Sequence, residues 1–268
     1  MTPSPAPGVR PPAVAGLFYP GDAAGLSRAV TELLGSVPSA AGKAPKALIA
    51  PHAGYVYSGP IAASAYALLR PLRDIVTRVV LLGPTHRVAV RGLAVPSVGH
   101  FATPLGAIEI DAPAVEVLKA MPQVVVADDP HALEHSLEVH LPFLQTVLAD
   151  FKLVPLAVGH ASAEDVAAVI DALWGGPETL IVVSSDLSHY LPYGQAQAVD
   201  RSTVEAVLDL KTDIDHDHAC GATPMCGLAL SARRRDLKPE LLDLRNSGDT
   251  AGDKNRVVGY ASFAFYES

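Results

Sequence analysis

Three short segments of this chain each follow an apolar run rich in branched residues, and each carries a side chain able to hold a metal ion or a proton. They are Pro51-His52-Ala53-Gly54-Tyr55 after ALIA, Gly83-Pro84-Thr85-His86 after RVVLL, and Ser184-Ser185-Asp186-Leu187-Ser188-His189 after TLIVV. In an open α/β sheet, ligands bind in the crevice beyond the carboxyl ends of the strands, so imidazoles repeatedly placed just past strands can converge there. A fourth segment, Ala219-Cys220-Gly221-Ala222-Thr223-Pro224, brings a thiol to what reads as a helix start, where the helix dipole favours the thiolate.

Each of these residues also has a structural reading. A lone histidine after a strand more often caps a turn or bonds a carbonyl, but the joint occurrence of His52 and His86 turns the balance towards a site. Asp186 reads as an N-cap or Asx-turn residue, or as the orienter of His189 or a further ligand. With an ordinary pKa near neutrality, His189 suits general acid/base work. Cys220, His189 and Asp186 together also have the residue types of a thiol nucleophile, its base and its orienter, which would serve a hydrolase or transferase without metal. The Glu134, His135, Glu138 and His140 cluster runs His-x-x-Glu where a carboxylate-bridged di-metal bundle needs Glu-x-x-His, so it reads as a supporting hydrogen-bond network. The Asp213-to-His218 run lacks the glycine and glutamate of a calcium loop and reads as a solvated acidic turn. Tyr19, Tyr55, Tyr57 and Tyr190 fit either a pocket mouth or ordinary aromatic packing.

The elements that must position these groups alternate. Strands are expected at 46–50, 78–82, 152–158 and 179–184, with shorter ones at 92–96 and 106–110. Helices are expected from Ser58 to Leu69, after the N-cap Asp111, from Glu134 to Ala149 with a bend or split at Pro142, from Ala163 to Trp174, and at about 195–210 and 220–234. Residues 258–266 alternate as a final strand. This order predicts one α/β domain over 13–268, with a central, mostly parallel but mixed β-sheet flanked by helices and His52, His86 and His189 at one sheet edge. The Pro-rich residues 1–12 read as a flexible tail.

Composition narrows the function classes. With 268 residues, 49% hydrophobic and 18% charged, the chain can bury a sheet on both faces. A formal net charge of -8 argues against a nucleic-acid partner, which needs clustered Lys and Arg. No apolar stretch reaches the roughly 18 residues of a membrane span, and no secretory pattern opens the chain, so a cytoplasmic protein without a membrane partner is expected. Two cysteines are too few for a disulfide scaffold, and at a six-residue separation Cys220 and Cys226 point to different helix faces.

Taken in order, the Arg10-to-Tyr19-Pro20 segment, Pro51 to Gly59, GPTH at 83–86, EHSLEVHLPF at 134–143, SSDLSH at 184–189 and the Cys220-Gly221 step resemble the Memo family. That resemblance implies the fold of the class III extradiol dioxygenases and a mononuclear site of non-haem-iron type. Its ligands would be His52, His86 and Cys220, with Asp186 and His189 beside them. A thiolate in place of the dioxygenases' carboxylate favours iron(II) or copper, with zinc as the rival, and sets the chain apart from simple catechol-cleaving enzymes. The resemblance further implies either a metal-dependent oxidoreductase acting on a small-molecule or peptide substrate or a peptide-binding module that keeps the old pocket. It also implies a functional link to radical-SAM and AMMECR-type proteins.

Overall fold

In the computed structural model, which describes residues 8–38 and 43–268, the branched runs become the centre of a mixed sheet. The strands are β1 (Val9–Arg10), β2 (Ala47–Ala50), β3 (Arg78–Pro84), β4 (Leu93–Val95), β5 (His100–Thr103), β6 (Gly106–Glu109), β7 (Val124–Val126), β8 (Lys152–Val158), β9 (Thr179–Ser184), β10 (His189–Leu191), β11 (Lys238–Asn246) and β12 (Val257–Tyr266). The main sheet runs β10-β12-β2-β9-β3-β8-β4-β7, with β11 also paired to β12, while β1, β5 and β6 form a small separate sheet. Its middle, β2-β9-β3-β8, is parallel, and β12 and β4 join that core antiparallel on either side. All residues of β2 and β9 are buried, which happens only when helices cover both faces.

The helices are α1 (Ala23–Gly35), α2 (Tyr55–Tyr66), α3 (Ala112–Lys119), α4 (Asp129–Ala132), α5 (Leu141–Val147), α6 (Ala163–Ala172), α7 (Tyr193–Leu208), α8 (Ala222–Arg234) and α9 (Ser247–Thr250). Helices α1, α2 and α5 pack together, as do α3, α6 and α8, while α7 lies on β11 and β12. Asp111 caps α3 as expected, its side chain accepting from the Ala114 N–H. The α/β architecture with a mixed, centrally parallel sheet is therefore the one expected. No helix among the described residues is long and apolar enough to cross a membrane.

Four expectations are corrected. Helix α2 starts at Tyr55 rather than Ser58, so that Pro60 lies inside it. The stretch from Glu134 to Ala149 is not one helix. Glu134, Ser136, Glu138 and His140 all turn inward, each to a different polar partner, and no single helical face could present them together. A short 3-10 turn at Glu138–His140 follows, and Pro142 then opens α5 in its first turn, where no N–H is required. The long edge strand β11 had no clear alternation to announce it, since it holds Pro239 and four charged residues. Of the expected tail, residues 1–7 lie outside the described residues, but Val9–Arg10 pair with β5 and Arg10 is buried.

Candidate metal centre

Parallel register carries the three ligand-bearing segments to one edge. The strands β2, β3 and β9 are neighbours, with Ala50 opposite Ser184 and Leu82 opposite Val183, so the chain leaves all three at the same level. His52 follows β2, His86 follows β3, and Asp186 follows β9. The rings of His52 and His86 stand with centroids 5.2 Å apart at 67°. Cys220 arrives from the loop before α8, its Sγ 3.4 Å from His52 Nε2. One donor atom from each of His52, His86 and Cys220 falls within 4.8 Å of the others.

Hydrogen bonds decide which imidazole nitrogen is free. The Ser184 hydroxyl donates to the Ser136 carbonyl at 2.6 Å and stands 2.6 Å from His52 Nδ1 and 2.7 Å from His140 Nε2. With its one proton committed, that oxygen can only accept from both rings, so His52 carries its proton on Nδ1 and presents the Nε2 lone pair to the pocket. Tyr66 completes the chain by donating to His140 Nδ1 at 2.7 Å. On the other imidazole, His86 Nδ1 donates to Glu134 Oε1 at 2.9 Å, which frees its Nε2 in the same way. Glu134 also accepts from the backbone N–H groups of His86, His135 and Ser136. Burial alone would raise this carboxyl, but the bonds from the His86 side chain and backbone and from Ser136 outweigh it and hold the pKa at about 2.

Burial shapes the rest of the electrostatics. It lowers His52 well below the ordinary imidazole value, and the neighbouring His86, His135, His140 and His189 push the same way. It drives Asp186 up to about 7, against N–H bonds from His52 and Ala53. The Cys220 thiol rises to about 12, chiefly by burial and then by the charge of Asp186, despite N–H donors from Asp186 and Gly221. Gly221 is the N-cap of α8, so Cys220 lies one residue before the helix start. A side chain at 221 could not be accommodated, since its Cβ would sit 2.4 Å from the Ser184 carbonyl oxygen.

The donor set fits a metal ion. The 3.4 Å between His52 Nε2 and Cys220 Sγ is close to the roughly 3.6 Å separating nitrogen and sulfur ligands on one tetrahedral ion. Two imidazoles and a cysteine sulfur are also the borderline-soft set that iron(II), copper or zinc takes.

The remaining expected residues fall out differently. Asp186 accepts from the His52 backbone N–H at 2.8 Å and bonds Cys220 through its own main chain, so it clamps two ligand segments. His189 opens strand β10 rather than lying in a loop, and burial lowers its pKa against the opposing effect of the Leu187 backbone. It is close enough to lower His52 and to be lowered by His86, after burial. Among the described residues it makes no hydrogen bond to Asp186 or Cys220, so a Cys220–His189–Asp186 triad is not assembled. His216 bonds Thr223 in an exposed turn, away from the cluster.

Sequence reasoning placed His135 only in a supporting hydrogen-bond network and gave Ser184 no role. His135 stacks on His86 at 4.7 Å, lies edge-on to His52 at 5.5 Å, and with His86 and Glu134 forms a second compact donor group. Only its place beside Glu134 hinted at this. Glu138 and Arg10 form a buried ion pair, and Glu138 further accepts from the N–H groups of Ala13 and Val14 and from the Tyr19 hydroxyl. These bonds pin the loop that places Phe18 4.8 Å from His135.

A family described as Memo-like protein matches residues 10–264. A protein from Aquifex aeolicus called a MEMO1 family protein is 36% identical, over 96% of this chain and 99% of its own length. Proteins of the same description from Metallosphaera sedula and Archaeoglobus fulgidus are 32% and 35% identical, again over 96% of this chain and 99% of theirs. A crystal structure of an uncharacterized protein from Escherichia coli K12 superposes with a TM-score of 0.46 at 16% identity, covering 81% of this chain and 98% of that one.

Proposed function

The chain belongs to the Memo-like family, and we propose that it is a mononuclear metal protein in which His52, His86 and Cys220 hold iron(II) or copper in support of oxygen-dependent chemistry. The observation that carries this reading is the convergence of two imidazoles, each freed at Nε2 by a buried partner, on one thiol. A redox-active ion with three protein ligands has open positions for a substrate or dioxygen and can exchange an electron with either.

The surrounding residues have separable tasks. Glu134 and Ser184 orient the two imidazoles, and Asp186 holds the His52 and Cys220 segments together. Half-buried His189 is the proton-transfer group in this reading, because burial keeps it neutral near pH 7 and able to accept a proton from a bound hydroxyl. Asp186, raised towards neutrality, is the second group able to exchange a proton there.

The substrate class in this reading is drawn from exposed apolar side chains that neighbour the site segments in sequence. Leu17, Val56, Val88, Leu133 and Tyr190 are exposed apolar side chains, and each lies in or beside a segment that supplies a site residue. Exposed apolar side chains of this kind support a partly apolar organic molecule or a peptide side chain, and equally the second reading, a peptide-binding module in which the ion is structural.

Metal analysis of protein purified without oxygen tests the first reading. His52→Ala, His86→Ala and Cys220→Ala are expected to lose most of the metal, while His189→Ala keeps it. Oxygen uptake by the iron- or copper-loaded protein then separates chemistry from binding. Equal metal content in all variants would remove the site, and a stable zinc form with inert iron and copper forms would remove the redox reading.

A further inference from the structure

Away from the donor cluster, Asp200 in α7 is a buried carboxyl that nothing so far explains. It is 2% exposed. Its Oδ1 accepts from the Ser188 backbone N–H at 3.0 Å, whereas Oδ2 is buried without a hydrogen-bond partner. Burial raises its pKa, with the Ser188 backbone N–H and His218 opposing. A small cavity of about 170 Å³ borders Asp200, with Arg201 and Arg245 on its wall, but Oδ2 is too deeply buried for a ligand there to reach it.

Instead, Oδ2 packs against Gly259 of β12, where any Cβ would come within 2.1 Å of it. Gly259 is also the strand residue that brackets the same turn, donating to the Ser188 carbonyl and accepting from the Leu187 N–H, both at 2.8 Å. The next residue along, His189, begins β10, where the register with β12 shifts before Leu191. Tyr190 sits within that irregularity at φ 60°, left-handed backbone that a bulky residue adopts only when its surroundings impose it. A half-satisfied buried carboxyl, a glycine emptied to receive it and a strained tyrosine thus all meet at one short segment. Each is unfavourable for stability, and none fills the core.

We propose that Asp200 is a positioning residue that, with Gly259 and the Tyr190 kink, fixes the Ser188–His189 backbone so that the His189 imidazole faces the metal pocket. The proposal rests on the reading of His189 as the proton-transfer group, although its structural part can be tested without metal. Asp200→Asn retains an acceptor for the Ser188 N–H, Asp200→Leu keeps the branched shape in a larger side chain without one, and Gly259→Ala pushes the carboxyl away from its seat. Tyr190→Gly relieves the left-handed backbone.

The measurements are hydrogen–deuterium exchange at the Ser188 and Gly259 amides, the His189 ring signals in NMR, and thermal melting. Asp200→Leu and Gly259→Ala are expected to speed exchange at both amides at least tenfold and to shift or broaden the His189 signals. Exchange within β9 should be unchanged, and Asp200→Asn should restore most of the wild-type pattern. Tyr190→Gly is expected to melt no lower than wild type while broadening the same signals. Exchange within twofold of wild type and an unmoved His189 signal in Asp200→Leu would overturn the proposal. So would loss of β9 protection to the same degree as at Ser188, which would make Asp200 a general stabiliser. If these variants behave as expected but His189→Ala leaves the loaded protein's oxygen uptake unchanged, the positioning stands and the proton-transfer role of His189 fails.

Discussion

Cys220 Sγ lies 3.4 Å from His52 Nε2, although 168 positions separate the two residues in the chain. One strand pairing accounts for the approach. Ala50 faces Ser184 across β2 and β9, and the Ser185 N–H extends the ladder to the Ala50 carbonyl at 3.0 Å. His52 is two residues past Ala50. The Cys220-Gly221 step is tied to the other strand through the bond from the Cys220 N–H to the Asp186 carbonyl and that from the Gly221 N–H to the Ser185 hydroxyl. The separation of these two candidate donors is thus set by register, and a slip of one residue, about 3.3 Å, would destroy it.

Glu134→Gln tests how much of the His86 ligand depends on its carboxylate. The variant keeps the side chain's size but replaces one acceptor oxygen with a donor, facing N–H groups from His86, His135 and Ser136. Metal affinity is expected to fall 10- to 100-fold, the usual effect of losing a carboxylate behind a metal-binding imidazole. Competition with a chelator of known affinity measures it, and a change below threefold would remove Glu134 from that role.

Ser184→Ala tests the proton arrangement of the buried chain from Tyr66 to His52. In the wild type, nitrogen NMR is expected to show His52 protonated at Nδ1 in metal-free protein. Without the hydroxyl, His52 Nδ1 and His140 Nε2 both lose their partner, so the His52 tautomer should become mixed and stability should drop by about 1–3 kcal/mol. A wild-type His52 protonated at Nε2 would contradict the hydrogen-bond reading directly.

These networks also mark where the sequence was legible. The runs at β2, β3, β8 and β9 announce themselves because strands buried on both faces need unbroken branched residues, and histidines just past such strands can only reach one edge. The segment from Glu134 to His140 was misread because its polar residues answer to partners far away in the chain. Arg10 and Glu138 are 128 positions apart, and His140 and Ser184 are 44 apart. Arg10 itself was hidden by the prolines around it. Composition describes a segment's local freedom, and a single long-range ion pair overrides it.

Arg10→Met measures that override. Removing the guanidinium leaves Glu138 buried and unpaired, and loses the bonds to the His131 and Glu134 carbonyls. Breaking a buried pair from one side costs about 3–5 kcal/mol, which corresponds to a fall in melting temperature of roughly 10 °C for a chain of this size. Thermal unfolding checks it. A loss under about 1 kcal/mol would mean that the segment from Arg10 to Tyr19 is held by its other contacts.

Stability should also fall on mild acidification, and His131 is the residue to follow because it lies outside the donor cluster. It is 2% exposed, with Nε2 on the Ala94 carbonyl and Nδ1 without a partner. Burial lowers its pKa from 6.5 to about 4, partly offset by the Ala94 bond. The unfolded chain therefore binds a proton that the folded protein refuses between those two values. The stability contribution is complete above about pH 6.5, is lost as pH falls through the window, and levels off below about pH 4. At about 1.4 kcal/mol per pH unit, the full loss is on the order of 3 kcal/mol. Other groups titrate in the same range, so the useful quantity is the difference from His131→Gln, which offers an N–H to the Ala94 carbonyl but does not titrate. Denaturant unfolding from pH 7.5 to 4.5 should show the variant's stability falling less steeply, by close to one proton's slope. Parallel curves for the two proteins would mean that His131 takes up its proton without unfolding.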